Sequence, residues 1–382
     1  MVIYNAKIHT MNAEREVFTG SVTIKDGIIT EVSRQPHRAV KADWINAHGA
    51  DLYPGFIDAH THVGLTTNGV GVESEDFNEE SEPCSPQLRI TDAINPFDVS
   101  FEKALRAGIT TVVISPGSMN PISGGIAAVS TYGKRIDKMV LRNIGMKFAL
   151  GENPKMTYMN RDESPFTRMA IASMIREELA KAKRYMEDKE AADEDEQPEL
   201  DFRHEAMIPL LKREIKAHFH CHRADDIFTA IRISEEFGLD YVLIHCTDGH
   251  LIADELAEEN ACAVVGPIIT DPCKPEMANV TPANAGILAA HGIKTAICTD
   301  HSETPIEYLA LTAGICIKHG MTREQALEAI TINAAEIAGI EDITGSIETG
   351  KRADLVLFEG SPFEVMSDPK LVVTGGKIIN YK

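Results

Sequence analysis

The amino-acid sequence predicts an α/β fold: a (β/α)8 barrel of the TIM type carrying a small β-sandwich domain formed from both chain ends. Three observations lead there. Residues 52–344 alternate short β-branched runs with helical patterns, the signature of parallel βαβ units. Residues 1–51 and 345–382 read instead as strands separated by glycine turns, and together they make one composite domain. Histidines and acids gather where the predicted barrel strands run out, the end at which such barrels build their sites.

Composition sets the outer limits. At 382 residues and 43% hydrophobic, the chain can bury a large core in more than one domain. A formal net charge of −21 argues against nucleic acid or an anionic membrane as a partner, and a small-molecule substrate is expected. Residues 187–196 concentrate much of that charge and read as a solvated insertion. No apolar run reaches the length of a bilayer span, and residues 1–7 lack the parts of a secretory signal. The seven cysteines are dispersed without a Cys-x-x-Cys pair, which suits a reducing cytoplasm. Cys221, Cys246 and Cys298, beside suspected ligands, read as small buried filler.

The elements follow in order. Residues 2–8 mix β-formers with polar positions, and 21–32 are two strands around Asp26-Gly27, a strong hairpin signal. The far end answers with strands at 353–358 and 371–379, the second turned by Gly375-Gly376. Within the barrel, strand one ends at His60, and a helix over 99–107 stops at Gly108. Strand two covers 109–114, strand three 126–132, and strand four 146–150, running into Gly151-Glu152-Asn153-Pro154. Helices then continue to about residue 212 and include the acidic run. Strand five is 215–219, ending at His220, and a helix over 225–237 ends at Gly238. Strand six, 241–244, ends at His245; strand seven is 261–265 and strand eight 295–298, ending at Asp300. Thr322-Arg323-Glu324-Gln325 is a capping box that opens a helix through Ala338. Eight strands, each joined to the next by a crossover, fit the barrel.

The chemistry sits at those strand ends. His60 and His62 are two residues apart, so in an extended chain both imidazoles point the same way and can bind one metal ion. Glu152, His220, His245 and Asp300 stand at the ends of strands four, five, six and eight. Singly, each has an ordinary alternative: a turn carboxylate, a satisfied histidine, a helix N-cap. Their joint placement is what defines a metal site.

At these residues the chain resembles the amidohydrolase superfamily. Pro54-Gly55-Phe56-Ile57-Asp58-Ala59-His60-Thr61-His62 is similar to that family's first-strand motif. Thr331-Ile332-Asn333-Ala334-Ala335 and Gly345–Val356 resemble its C-terminal signature. Lys216-Ala217-His218-Phe219-His220-Cys221-His222 is similar to the imidazolonepropionase-related group within it.

The resemblance implies a role for each residue. His60, His62 and Asp300 would hold one ion, and His220 and His245 a second or a mononuclear site. Many family members bridge two ions with a carbamylated lysine at the end of strand four; here Glu152 stands at that place, with Lys155 as the alternative. His218 and His222 compete with His220 at strand five. One or two divalent ions are expected: Zn2+ by default for a histidine-rich site with carboxylates, with Mn2+ or Fe2+ also suited to the ligand types.

The expected activity is hydrolysis of a C–N bond in a cyclic or peptide-like amide by metal-activated water, with an aminohydrolase acting on a ring amidine as the alternative. Asp300 would move the proton, and His245 or His222 would stabilise the oxyanion. Arg161, Arg168 and Arg223 are candidate clamps for a substrate carboxylate. The family also implies a homo-oligomer.

Overall fold

The computed structural model describes residues 1–35, 41, 44–66 and 72–379. The first strands are β1 (Val2–His9), β2 (Val17–Lys25), β3 (Ile28–Ser33), β4 (Ile45–Asn46) and β5 (Asp51–Pro54). The barrel strands are β6 (Phe56–Thr61), β7 (Ile109–Ile114), β8 (Ile122–Ser130), β9 (Val140–Ala149), β10 (Lys216–Cys221), β11 (Tyr241–His245), β12 (Cys262–Val265) and β13 (Lys294–Ile297). The chain closes with β14 (Leu355–Phe358), β15 (Leu371–Thr374) and β16 (Lys377–Ile379).

Both chain ends share one sheet, ordered β16-β15-β14-β5-β1-β2-β3, with β4 also on β1. The seam is the antiparallel pair β5–β14, where Leu52 faces Leu357. The β2–β3 hairpin turns through Asp26 (φ 51°) and Gly27 (φ 83°). Two positive φ angles in a two-residue turn match the right-handed twist of the strands, which is why Asp-Gly marked it in the sequence.

The second sheet keeps sequence order from β6 to β13. Its two edges are stitched where the site lies: the Asp300 N–H donates to His60 O at 3.2 Å and the His62 N–H to His301 O at 2.8 Å. One expectation needs correction. β8 runs antiparallel to both β7 and β9, so not every strand is reached by a crossover. The links 115–121 and 131–139 are too short, because a parallel connection takes a dozen or more residues.

Strand limits also move. β9 begins at Val140, six residues before the expected start, and β10 extends to Cys221. The helix after the capping box breaks into Arg323–Ala329 and Ile332–Ala338. The acidic run continues the helix Arg168–Ala191 into a short turn at Glu194–Glu196.

Ile57, Ala59, Val113, Val242, Ile244, Val264, Ala296 and Cys298 form one buried cluster with Ala334, Ala335 and Ile337 of the helix Ile332–Ala338. Lys216 ties that helix down, its ammonium donating to Glu336 O and Ile337 O at 3.0 and 2.9 Å. A cation at the negative end of a helix is favourable. No helix among the described residues is long and apolar enough to cross a membrane.

Gly55 joins the two sheets. Its N–H donates to Asp354 O at 2.8 Å, and a Cβ there would lie 2.2 Å from Thr110 Oγ1. Gly55→Ala is therefore expected to cost about 1–3 kcal/mol through overpacking. Urea denaturation checks this; an unchanged midpoint would show that the junction has slack.

Candidate metal centre

The strand ends place the ligands, and local hydrogen bonds aim them. His62 Nδ1 donates to Ser115 O at 2.7 Å and His245 Nδ1 to Gly266 O at 2.6 Å. A carbonyl can only accept, so Nδ1 carries the proton and Nε2 is left as a lone pair. His222 Nδ1 is held by Thr247 Oγ1 at 2.7 Å. Backbone strain gathers here as well: His245, Cys246 and Asp300 all have positive φ (70°, 47° and 53°).

Two groups of donors result. His60, His245 and Asp300 have ligand atoms within 4.8 Å of one another, as do His220, His222 and His245. Asp300 Oδ1 stands 3.4 Å from His62 Nε2 and 3.6 Å from His60 Nε2. His245 is common to both groups, its ring centroid 5.5 Å from that of His60 and 4.6 Å from that of His220.

The donor set fits a metal. His220 Nε2 and Asp300 Oδ1 are buried without a hydrogen-bond partner. Orphaned polar atoms are costly in a protein interior, and a cation among them removes that cost. Protonation states agree with this. Burial, then the Lys147 charge, holds the His60 imidazolium well below its ordinary value, and burial with His245 does the same for His220. Burial brings His245 down to about 4. Burial would raise the Asp300 carboxyl, but His245, His62 and Lys147 outweigh it and hold it at about 2. Neutral imidazoles beside an ionised carboxylate are what a divalent ion binds.

The bridging position is corrected. Glu152 does not line the cavity: the chain turns at Gly151 (φ 86°), Glu152 opens the helix Glu152–Met159, and its N–H donates to Glu276 Oε2 at 2.7 Å. Lys155, in the same helix, does not line it either. The lysine at the centre is Lys147, inside β9 and fully buried, its Nζ 3.3 Å from His60 Nε2. Burial brings its ammonium down to about 8 even though Asp300 pulls the other way. A single lysine within the apolar run 144–150 was the signal; it lay inside the expected strand 146–150, but the bridge was sought past the strand's end, at Glu152 and Lys155.

Other expectations are also rearranged. His218 lies beside Gly145 with both ring nitrogens unpartnered, and it does not line the cavity. The three arginines are engaged elsewhere, Arg161 with Glu80, Arg168 with Asp226 at 3.0 Å and Arg223 with Asp225 at 2.8 Å, and none lines the cavity. Its cationic wall is Lys274, which the sequence reading missed. The cavity holds about 310 Å³, and Phe77, Asn78, Ser118, Met119 and Glu303 line it above the histidines. That volume is at the small end for ligand pockets and suits a small polar molecule.

The chain belongs to the amidohydrolase family, whose model, described as "Amidohydrolase family", matches residues 52–379. A crystal structure of an amidohydrolase from Thermotoga maritima MSB8 is 36% identical, with each chain covering all of the other and a TM-score of 0.95. An amidohydrolase of Hapsidospora irregularis, tasK, is 25% identical over 94% of this chain, which spans 39% of that protein's length. An imidazolonepropionase of Geobacillus thermodenitrificans is 25% identical, over 97% of this chain and 92% of its own.

Asp58 gives a pH signature for the metal-free protein. It accepts from Thr299 Oγ1 at 2.6 Å, yet burial pushes its carboxyl up to about 7. Between the ordinary carboxylate range and about pH 7 the folded chain holds a proton that the unfolded chain has lost, so stability falls as pH rises across that window. Asp58→Asn is expected to flatten the decline in thermal melts of chelated protein, and an unchanged slope would reject the assignment.

Proposed function

We propose that the chain is a metal-dependent hydrolase that opens a C–N bond in a cyclic amide or a peptide-like amide. Residues 52–344 act as the catalytic barrel, flanked by the domain of 1–51 with 345–382. The observation that carries this reading is the convergence of His60, His62, His220, His245, Asp300 and Lys147 beneath one small cavity. A divalent ion bound there supplies a water acidic enough to ionise near neutral pH and polarises the amide carbonyl. Zn2+ is the natural occupant of imidazole and carboxylate ligands, and Mn2+ or Fe2+ would use the same set.

The chain's residues divide the work. His60, His62 and Asp300 would hold one ion, and His220 and His245 a second. Lys147 Nζ lies 3.3 Å from His60 Nε2, and its lowered ammonium leaves some free amine at neutral pH. That amine can add carbon dioxide, forming an N–C bond and releasing a proton, and the resulting carboxylate would serve as a metal ligand of the kind the family resemblance implies. Asp300, ionised and facing the same space, takes the proton of the attacking water and returns it to the leaving nitrogen. Whichever of His222 and His245 is not a ligand stabilises the oxyanion. Lys274 and Glu303 offer opposite charges to a polar substrate in the cavity wall. We further place the enzyme in the cytoplasm, as a homo-oligomer acting on a small molecule.

A panel of cyclic amides, dipeptides and ring amidines tests the reading. Amide opening without ammonia release is expected, whereas ammonia from an amidine would make the enzyme an aminohydrolase. Asp300→Asn should lower kcat by about 10²–10⁴ with the thermal melt preserved; retained turnover would reject its role. Lys147→Met should lower both turnover and metal content, and full metal content in that variant would reject Lys147 as a ligand.

A further inference from the structure

We infer that His220, His222 and Glu276 form a second two-histidine, one-carboxylate metal site, so that the second ion is not held by His220 and His245 alone. The inference rests on the metal-dependent reading above and is tested without turnover.

The pattern repeats within the chain. His60-Thr61-His62 with Asp300 is the first triad, and His220-Cys221-His222 is a second His-x-His pair. Its carboxylate comes from elsewhere, a short turn at Pro275–Met277 in the loop after β12. Glu276 Oε1 stands 3.7 Å from Nε2 of His220 and 3.7 Å from Nε2 of His222. The matching distances in the first triad are 3.6 and 3.4 Å. These separations are long for hydrogen bonds. They are close to the edge of a tetrahedral shell, roughly 3.4 Å when each ligand bond is about 2.0–2.1 Å.

The carboxylate is built in. Its side chain is 1% exposed, and Oε2 accepts the Glu152 N–H at 2.7 Å. A Cβ on Gly151 would lie 2.5 Å from that oxygen, so glycine is what lets the backbone come so close. Thr247 fixes the His222 ring from its far nitrogen, and both nitrogens of His220 lack partners.

Lys274 completes the arrangement. Its ammonium lies 2.7 Å from Glu276 Oε1 and 2.7 Å from Asn153 Oδ1. A buried carboxylate needs a counter-charge, and here lysine provides it. A metal ion on Glu276 must displace that ammonium, so the second site binds more weakly than the first, and His245 remains as the imidazole that faces both ions.

The test titrates Zn2+ into metal-free wild type, Glu276→Gln, His222→Gln, Lys274→Met and Asp300→Asn. Metal content by plasma mass spectrometry and chelator competition are the readouts. Wild type should bind two ions, and the Glu276 and His222 variants should lose the second or bind it at least about tenfold more weakly. Asp300→Asn should keep the second ion, and Lys274→Met should tighten it. Two ions at wild-type affinity in both the Glu276 and His222 variants would overturn the inference, as would a single wild-type ion that neither variant affects.

Wild-type crystals soaked in Zn2+ cover the case of a variant that does not fold. An anomalous peak at about 2.0–2.2 Å from both Glu276 Oε1 and His222 Nε2 is expected. A second-ion peak beyond bonding distance of Glu276 would overturn the inference. Failure of every amide substrate would leave these results standing.

Discussion

The arrangement depends on keeping several imidazoles neutral and aimed while they are buried around one carboxylate. The Nδ1–H bonds of His62 to Ser115 O and of His245 to Gly266 O do this. Each uses a backbone carbonyl at the end of a neighbouring strand, so ring orientation is set by the barrel itself. Without them the rings could rotate, and buried histidines without fixed tautomers would be a liability. The strained backbone at His245 and Asp300 belongs to the same economy, since the surrounding sheet holds these residues where a relaxed chain would not.

Much of this was legible in the sequence. His60, His62, His220, His245 and Asp300, which the structure brings to one cavity, stood out because strand ends are marked by the change from β-branched runs to polar residues, and those ends share a face. The composite sheet was visible in Asp26-Gly27 and Gly375-Gly376, whose turn chemistry is local. Lys147 and Glu276 were not legible, for different reasons. Lys147 sits in mid-strand, where a charged residue reads as a solvent-facing position until the neighbouring strands are known. Glu276 comes from a loop with no periodic pattern, and its proximity to His220 and His222 is a product of tertiary folding alone.

The arginines show the converse. Arg161, Arg168 and Arg223 were near the right segments, but a long cationic side chain finds whichever acid is closest, and Glu80, Asp226 and Asp225 were closer than the cavity. Sequence proximity to a site does not decide which way such a residue turns. In a chain with 58 acidic and 37 basic residues, most cations will be claimed by a neighbour. Lys274 is claimed as well, yet by Glu276, the acid beside His220 and His222.

The reversal of β8 has a consequence for how this fold could diversify. Its entry loop, 115–121, supplies Gly117, Ser118 and Met119 to the cavity wall as the tip of a hairpin, not as the start of a crossover helix. A hairpin tip can gain residues without shifting any helix against the sheet, and doubling a loop's length costs only about 0.6 kcal/mol. Insertions there can therefore reshape what the cavity admits while the ligand-bearing strand ends stay in place. The fold thus separates the part of the wall that can vary from the floor that cannot.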